Sequence, residues 1–153
     1  MEQQLRTLQL FSSGGAQFAV FAHEVMTIAE WRKPAVLPRA PASVLGVVSI
    51  QGRMLTVLDL SQLLELQRRS AGPSHILALL GDEQLALAID APSETIEIGA
   101  ANTNSDIEAG PQANGKLIAG VIDYNGYDIK IINVKELFPS AIQGRERRRR
   151  RRF

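Results

Sequence analysis

The sequence contains no cysteine, which excludes disulfides, thiol chemistry and metal sites built on cysteine ligands. It also lacks any apolar run near the ~18 residues that a membrane-spanning helix requires. The first residues, MEQQLRTLQLF, are too polar to form the apolar core of a signal peptide. These absences predict a cytoplasmic protein, and a chain of 153 residues suits a single domain.

Residues able to serve as catalytic bases or metal ligands are scarce. The only histidines, His23 and His75, lie beside predicted strands, and no local pattern marks a Ser-His-Asp triad around them. Asp106 and Glu108 lack the spacing of an EF-hand loop, and no glycine-rich phosphate loop is present. We therefore predict no enzymatic activity, no metal and no cofactor.

The net charge of +1 conceals a strong asymmetry. Seven arginines and one glutamate fall within Arg145–Phe153, a net charge of +6, which leaves ten basic and fifteen acidic residues in the rest of the chain. We predict a folded domain over residues 1–143 and a disordered arginine-rich tail over residues 144–153. Such a tail binds nucleic acid, anionic lipid, an acidic partner or the acidic body of a second copy, or it is an appended tag.

One stretch, Val44–Leu66, predicts a β-hairpin that leads directly into a short helix. Gln51 and Gly52 form the predicted turn, and Asp59 caps the helix in a pattern close to a capping box with Gln62. The same unit recurs about 74 residues later, at Gly120–Phe138. The paired positions are Gly46 with Gly120, Gly52 with Gly126, Asp59 with Asn133, Gln62 with Glu136 and Leu63 with Leu137.

The repeat predicts two similar halves, about residues 5–66 and 75–138, separated by a polar linker over Gln67–Ser74. The other apolar runs and turn signals predict mostly β structure with short helices. Since neither half buries much surface alone, we expect two small barrels that share one core. Further strands are predicted at Leu5–Phe11, Gln17–Ala22, His75–Leu80, Gln84–Asp90, Thr95–Ile98, Lys116–Asp123 and Tyr127–Val134. At His23–Trp31 the apolar spacing favours helix over strand, and Glu136–Ile142 is predicted to form a helical turn. A long exposed loop is predicted at Gly99–Gly115.

Several motifs together resemble those of CheW-like domains. They are Pro38-Arg39-Ala40-Pro41, Gly46-Val47, Ile50-Gln51-Gly52 and Val57-Leu58-Asp59-Leu60, within a resemblance that covers roughly Leu5–Phe138. The resemblance implies two five-stranded SH3-like barrels around a common core. It also implies a non-enzymatic adaptor, in chemotaxis or pilus-based motility, that couples a chemoreceptor to the regulatory domain of a CheA-type histidine kinase.

The resemblance also implies which residues bind partners: Thr27, Gly46, Gln51, Gly52 and Arg53. The family often has Asn-Leu-Arg-Gly at the central turn, and here neutral Gln51 takes the position of the arginine. Arg53 supplies a charge one residue beyond the turn, and Thr27 stands where an acidic residue is common. Two alternatives remain open, an electrostatic binder of nucleic acid or membrane through the tail and a self-associating structural protein. Trp31 either anchors an interface or covers a barrel end.

Overall fold

The computed structural model describes residues 5–66, 72–99 and 117–141. The predicted tail, and most of the predicted linker and long loop, lie outside the described residues. Ten strands make up most of the described residues, and the prediction of a mostly β fold with short helices is confirmed. The strands are β1 (Leu5–Ser13), β2 (Ala16–Phe21), β3 (Val25–Glu30), β4 (Val44–Ile50), β5 (Arg53–Asp59), β6 (His75–Leu79), β7 (Leu85–Ile89), β8 (Ala91–Gly99), β9 (Ile118–Tyr124) and β10 (Tyr127–Ile132).

Helical structure is limited to short pieces. The helix α1 (Leu60–Leu63) follows β5, 3-10 turns span Ala22–Glu24 and Val134–Glu136, and residues 137–141 are helical. Among the described residues, no helix is long and apolar enough to cross a membrane.

The strands form two five-stranded sheets with the same internal plan. The first sheet has the order β8-β1-β2-β10-β9, and the second has the order β3-β6-β7-β5-β4. Four hairpins are present, at β1–β2, β4–β5, β6–β7 and β9–β10, and each joins two neighbouring segments that the sequence predicted as strands. In each sheet a parallel pair, β2–β10 or β5–β7, joins the two hairpins.

The sheets interleave strands from the two repeated units. The first sheet takes β1 and β2 from the first unit and β8, β9 and β10 from the second. The second sheet takes β3, β4 and β5 from the first unit and β6 and β7 from the second. Equivalent hydrogen bonds mark the repeat, because Asp59 N–H donates to the Ser43 carbonyl and Asn133 N–H donates to the Leu117 carbonyl, each at 2.8 Å. The repeat is therefore visible in the backbone, but no sheet belongs to one unit alone.

Three apolar clusters correspond to two barrel interiors and one shared core. The interior of the second sheet contains Val48, Ile50, Leu55, Val57, Ile76, Ala78, Ala86 and Ala88, and that of the first sheet contains Leu8, Leu10, Ala19, Ile98, Ile122, Ile129 and Ile131. The third cluster lies between the sheets and includes Phe11, Phe18, Leu58, Leu77, Leu87, Ile132 and Leu137. Apolar residues on both faces explain why the strands read as nearly continuous hydrophobic runs.

A hydrogen bond joins the two edge strands of the first sheet. The Tyr124 hydroxyl on β9 donates to a Glu94 carboxylate oxygen on β8 at 2.8 Å. This bond raises the pKa of the Tyr124 hydroxyl, because the phenol proton is held by the carboxylate. Since β8 and β9 lie at opposite ends of the strand order, the contact links the two edges of the sheet, as in a barrel.

The prediction that favoured helix at His23–Trp31 is wrong. Val25–Glu30 is a strand, β3, that pairs with β6. A β-bulge between Val25 and Thr27 shifts the pairing and inserts an extra residue. Val25 and Ile28 therefore pack on the same core cluster at a spacing of three, which imitates a helical period.

The capping predictions are only partly correct. The Asp59 side chain accepts a hydrogen bond from Ser61 N–H at 3.0 Å, so its cap is confirmed. The reciprocal capping box is wrong, because Asp59 N–H donates to Ser43 rather than to the Gln62 side chain. Asn133 occupies the equivalent position, but its side chain makes no cap hydrogen bond to the 3-10 turn that follows.

Candidate partner-binding surfaces

The central turn lies at the exposed tip of the β4–β5 hairpin. Gln51 and Gly52 have φ angles of 52° and 79°, as the two central residues of a type I′ turn require. Glycine adopts such angles freely, whereas glutamine does so at a conformational cost. The tip therefore has a defined shape, and both residues are exposed to a partner.

Arg53 is held in place by a neighbouring turn. Its Nη2 donates to the Gly81 carbonyl oxygen at 3.1 Å, across to the turn between β6 and β7. The Arg53 side chain is consequently half-buried rather than fully exposed to solvent. The hydrogen bond places Gln51, Gly52 and Arg53 on one surface with the exposed residues Asp82 and Glu83.

Gly46 lies away from this tip and is buried. Its φ angle is 143°, and a Cβ atom added there would lie 2.3 Å from the Ala35 carbonyl oxygen. The glycine allows the proline-rich segment before β4 to pack directly against that strand. The observed contact is within the protein, and the partner-binding role of Gly46 stays a prediction.

Thr27 lies on the other side of the same sheet. It is half-buried on β3, where it pairs with Ala78 of β6. Three strand spacings, about 14 Å along the sheet, separate β3 from β5. The structure therefore groups Gln51, Gly52 and Arg53, while Thr27 and Gly46 belong to other parts of the second sheet.

Trp31 covers the interior of the second barrel. Its side chain is half-buried and packs against the cluster that contains Val48 and Leu55. Its backbone N–H donates to the Ser74 carbonyl at 3.0 Å. Of the two roles left open by the sequence, the structure supports a cover over the barrel.

A serine–histidine contact that the sequence did not reveal is not a catalytic pair. Ser74 Oγ lies 2.7 Å from His75 Nδ1, and the same hydroxyl donates to the Asp90 backbone carbonyl. A hydroxyl has only one proton to donate, and in this geometry it is directed at a backbone carbonyl. The contact therefore joins two neighbouring side chains at the start of β6.

A cavity of about 810 Å³ opens where the chain passes from the first sheet to the second. Both 3-10 turns border it, together with the ends of β1, β2 and β10. Sequence reasoning missed this site, because its residues are scattered along the chain and form no motif. They are Arg6, Thr7, Phe21, Ala22, His23, Glu24, Ala119, Ile132, Asn133, Val134 and Lys135.

The cavity combines an apolar wall with charged groups. The Phe21 ring stacks on the His23 ring with 5.8 Å between the ring centroids, and the Arg6 guanidinium lies 5.3 Å from the Phe21 ring centroid. Burial raises the pKa of the Glu24 carboxyl, although the nearby His23 opposes the shift. The buried Glu24 Oε1 has no hydrogen-bond partner among the described residues. The site can therefore accept an apolar group together with a hydrogen-bond donor.

The described residues contain no group of three or more His, Asp or Glu side chains close enough to hold a metal ion. In the part of the chain that the structure describes, the hairpin tip and the cavity at the barrel junction both have features of interaction sites. Both are suited to recognition by shape and charge.

Comparison with known proteins agrees with this architecture. The chain is 26% identical over 137 residues to "Chemotaxis protein CheW" of Rhizobium meliloti (strain 1021), with 88% of each protein covered. It is 25% identical over 139 residues to "Probable chemotaxis protein CheW" of Rhizobium etli, with 87% of each covered. The crystal structure of scaffolding protein TtCheW from Thermoanaerobacter tengcongensis superposes with a TM-score of 0.77 over 90% of each chain, at 20% identity.

A family model described as "CheW-like domain" matches residues 7–141. Members of this family are non-enzymatic scaffold proteins of chemotaxis, so the prediction that the chain is not an enzyme is confirmed. The two five-stranded sheets are those that the resemblance implied. The chain belongs to the CheW-like domain family.

Proposed function

We propose that this protein is a cytoplasmic adaptor that couples a chemoreceptor to the regulatory domain of a CheA-type histidine kinase. The observation that carries the proposal is the presence of two separate interaction surfaces on one body. The hairpin tip belongs to the second sheet, and the cavity is bordered mainly by strands of the first. An adaptor needs two such surfaces, because it must hold two partners at once.

We assign the hairpin tip to the kinase. Gln51 and Gly52 are exposed, and Arg53 is fixed by Gly81, so little conformational entropy is lost when a partner docks there. The resemblance to CheW-like domains implies that the kinase regulatory domain is itself a homologous domain. A contact between barrel ends would therefore match surfaces of similar shape.

We assign the cavity to the receptor. Its volume of about 810 Å³ lies within the usual range for ligand pockets, and it can admit apolar side chains of a receptor segment. Arg6 and Lys135 would face acidic groups of that segment, and Glu24 would accept a hydrogen bond. Thr27 and Gly46 lie in other parts of the second sheet and stay predicted partner-binding residues outside these two surfaces.

The proposal is tested by calorimetric titration of the full chain against each partner domain from the same organism. Replacing Gln51 and Arg53 together by alanine should weaken kinase binding about 10-fold, or about 1.4 kcal/mol, and leave receptor binding intact. Lys135→Glu should do the reverse. Asn125→Ala with Tyr127→Ala, at the equivalent turn of the other barrel, and Lys130→Glu serve as matched controls. Unchanged affinities in both test variants would contradict the assignment.

The arginine-rich tail supports one further candidate function. Its net charge of +6 suits non-specific binding to nucleic acid or anionic membrane. Such binding should weaken steeply with salt and disappear when Arg147–Arg152 are replaced by glutamine. If that variant binds its target as tightly as the natural chain does, the tail has no such role.

A further inference from the structure

The internal repeat places two acidic residues at equivalent positions. The strand order β8-β1-β2 of the first sheet matches β3-β6-β7 of the second, and Asp90 directly precedes β8 as Glu24 directly precedes β3. Each acid is joined through its backbone to the end of the neighbouring hairpin strand. Asp90 N–H donates to the Ser12 carbonyl, and Leu80 N–H donates to the Glu24 carbonyl, each at 2.8 Å. The surroundings of the two acids can therefore be compared directly.

The site around Asp90 is closed by the turn between β1 and β2. Gly15 N–H donates to Asp90 Oδ2 at 3.2 Å. Gly14, with a φ angle of 62°, lies against α1, where an added Cβ atom would overlap the Ser61 hydroxyl. The absence of a side chain at Gly14 thus lets a tight turn approach α1 closely, and the same turn supplies a backbone donor to the acid.

The equivalent site around Glu24 is open. Residues 80–84 form the corresponding turn between β6 and β7, but none of them lines the cavity. Among the described residues, no atom beyond the chain neighbours of Gly81 lies within 4 Å of a Cβ atom added there. Lys135, in the 3-10 turn after β10, takes the place of Ser61. Glu24 Oε1 is buried without a hydrogen-bond partner in the described part of the chain, whereas the equivalent acid receives a backbone N–H.

The open site requires a hydrogen-bond donor and favours negative charge around it. A buried acceptor without a donor costs free energy, and a partner that supplies the donor removes that cost. Arg6 and Lys135 are exposed at the wall of the cavity, and Glu24 is the one carboxylate among its lining residues. A partner segment with acidic side chains therefore complements the two cations.

We propose that a tight, glycine-containing turn of the receptor segment enters this cavity and donates a backbone N–H to Glu24 Oε1. The bond repeats the one that Gly15 makes to Asp90 within the chain, and acidic side chains beside the turn face Arg6 and Lys135. A glycine suits the turn because it permits positive φ angles and close backbone approach. The inference rests on the proposed assignment of the cavity to the receptor and adds the kind of segment that the cavity accepts.

The first test needs no partner. Glu24→Met removes the unsatisfied acceptor and keeps an unbranched side chain, so it should raise the midpoint of urea denaturation at neutral pH. Asp90→Met is the matched variant from the other half, and it should lower the midpoint because Gly15 N–H loses its acceptor. A lower midpoint for both variants would show that the fold already satisfies Glu24, and it would overturn the proposal.

The second test is calorimetric titration of the full chain with the cytoplasmic fragment of the chemoreceptor from the same organism. Glu24→Met should weaken binding about 10-fold, since the donor on the receptor then enters the cavity without an acceptor. Glu30→Met removes an exposed acid at the other end of β3 and should leave the affinity unchanged. A variant at Glu24 that is more stable and binds less tightly has the signature of a binding residue rather than of a structural one.

Proline scanning of the bound receptor segment provides the decisive measurement, because each proline removes one backbone N–H. At the donor position, proline should weaken binding to the natural chain about 10-fold and binding to Glu24→Met less than about 2-fold. Equal binding by the natural chain and Glu24→Met, or additive losses at every scanned position, would overturn the inference while the adaptor function stands. A receptor fragment that does not bind the natural chain would contradict the proposed function itself.

Discussion

At the scale of single residues, Gly46 is the position least able to change. Gly46→Ala places a Cβ atom 2.3 Å from the Ala35 carbonyl oxygen at a φ angle of 143°. Because the neighbouring atoms belong to a backbone that is hydrogen-bonded to Val47, they cannot yield without loss of that contact. We expect urea denaturation to show a loss of about 2–4 kcal/mol in the free energy of unfolding.

Gly52→Ala is the matched control for this substitution. Gly52 also has a positive φ angle, 79°, but no atom lies within 4 Å of the position that an added Cβ atom would take. Only the backbone conformation opposes alanine there, so the loss should be about 1–2 kcal/mol. Equal losses at the two glycines would show that the Ala35 contact contributes nothing.

Glu24 predicts a dependence of stability on pH. Burial raises the pKa of its carboxyl above the usual value of 4.5, so the folded state holds the proton more tightly than the unfolded state. The stabilisation from that proton is complete below 4.5 and is lost as pH rises through the folded-state pKa. The stability of Glu24→Gln relative to the natural chain should therefore increase from acid to neutral pH. Chemical denaturation across this range measures the difference.

Glu97→Gln controls for the removal of one carboxylate from an exposed strand position. The stability difference between that variant and the natural chain should change less with pH than it does for Glu24→Gln. A parallel change in both would mean that overall charge, rather than burial of Glu24, causes the effect.

Single residues were predictable where their role is local. Asp59 was identified as a helix cap because the interaction spans two residues. The cavity was not predictable, since Arg6, Phe21 and Lys135 become neighbours only through the pairing of β1, β2 and β10. The link from Arg53 to Gly81 spans 28 residues and has no sequence signal.

At the scale of elements, a proline-rich strap over residues 32–41 protects the edge of β4. An exposed edge strand invites pairing with other chains, and Ala35 occupies the free hydrogen-bonding groups of Val47. Ala35→Pro removes one donor and displaces the strap. Hydrogen exchange at the Val47 amide should then accelerate about 10-fold or more, because displacement of the strap moves the carbonyl of residue 35, the acceptor of that amide, away from it.

Val36→Ala, at the next position along the strap, is the control for this change. Val36 is exposed and lies outside the bridge between Ala35 and Val47, so exchange at Val47 should stay slow. If Ala35→Pro also leaves that exchange slow, the strap is not what protects the strand.

Elements with strict patterns were predicted well, and β3 was not. The four hairpins follow from turn residues and apolar runs that lie close together in the sequence. In β3 the bulge after Val25 breaks the alternation of a regular strand. Because bulges depend on the partner strand, here β6, the sequence of β3 alone favoured the wrong element.

At the scale of the whole molecule, the repeat correctly predicted two barrel-like sheets with a shared core. It did not reveal that each sheet combines strands from both units. The apolar pattern of a strand shows which faces are buried but not which strand lies beside it. The parallel pairs β2–β10 and β5–β7 depend on that long-range choice.

The interleaving predicts that neither unit folds alone. Residues 1–71 lack the strands β9 and β10 that complete the sheet of β2, and residues 72–153 lack the β5 that pairs with β7. Each fragment should show no cooperative thermal unfolding by circular dichroism, whereas an equimolar mixture should regain one transition. A fragment that unfolds cooperatively by itself would contradict this expectation.

Each unit contributes its first hairpin to the sheet of the other, which is the arrangement of a domain-swapped dimer contained within one chain. The connection between Leu66 and Gly72 therefore acts as a tether that keeps the two exchanging units at a high effective concentration. A break in that connection converts folding from a unimolecular reaction into a bimolecular one. The stability of the cut protein then depends on its concentration, although every strand keeps the same neighbours.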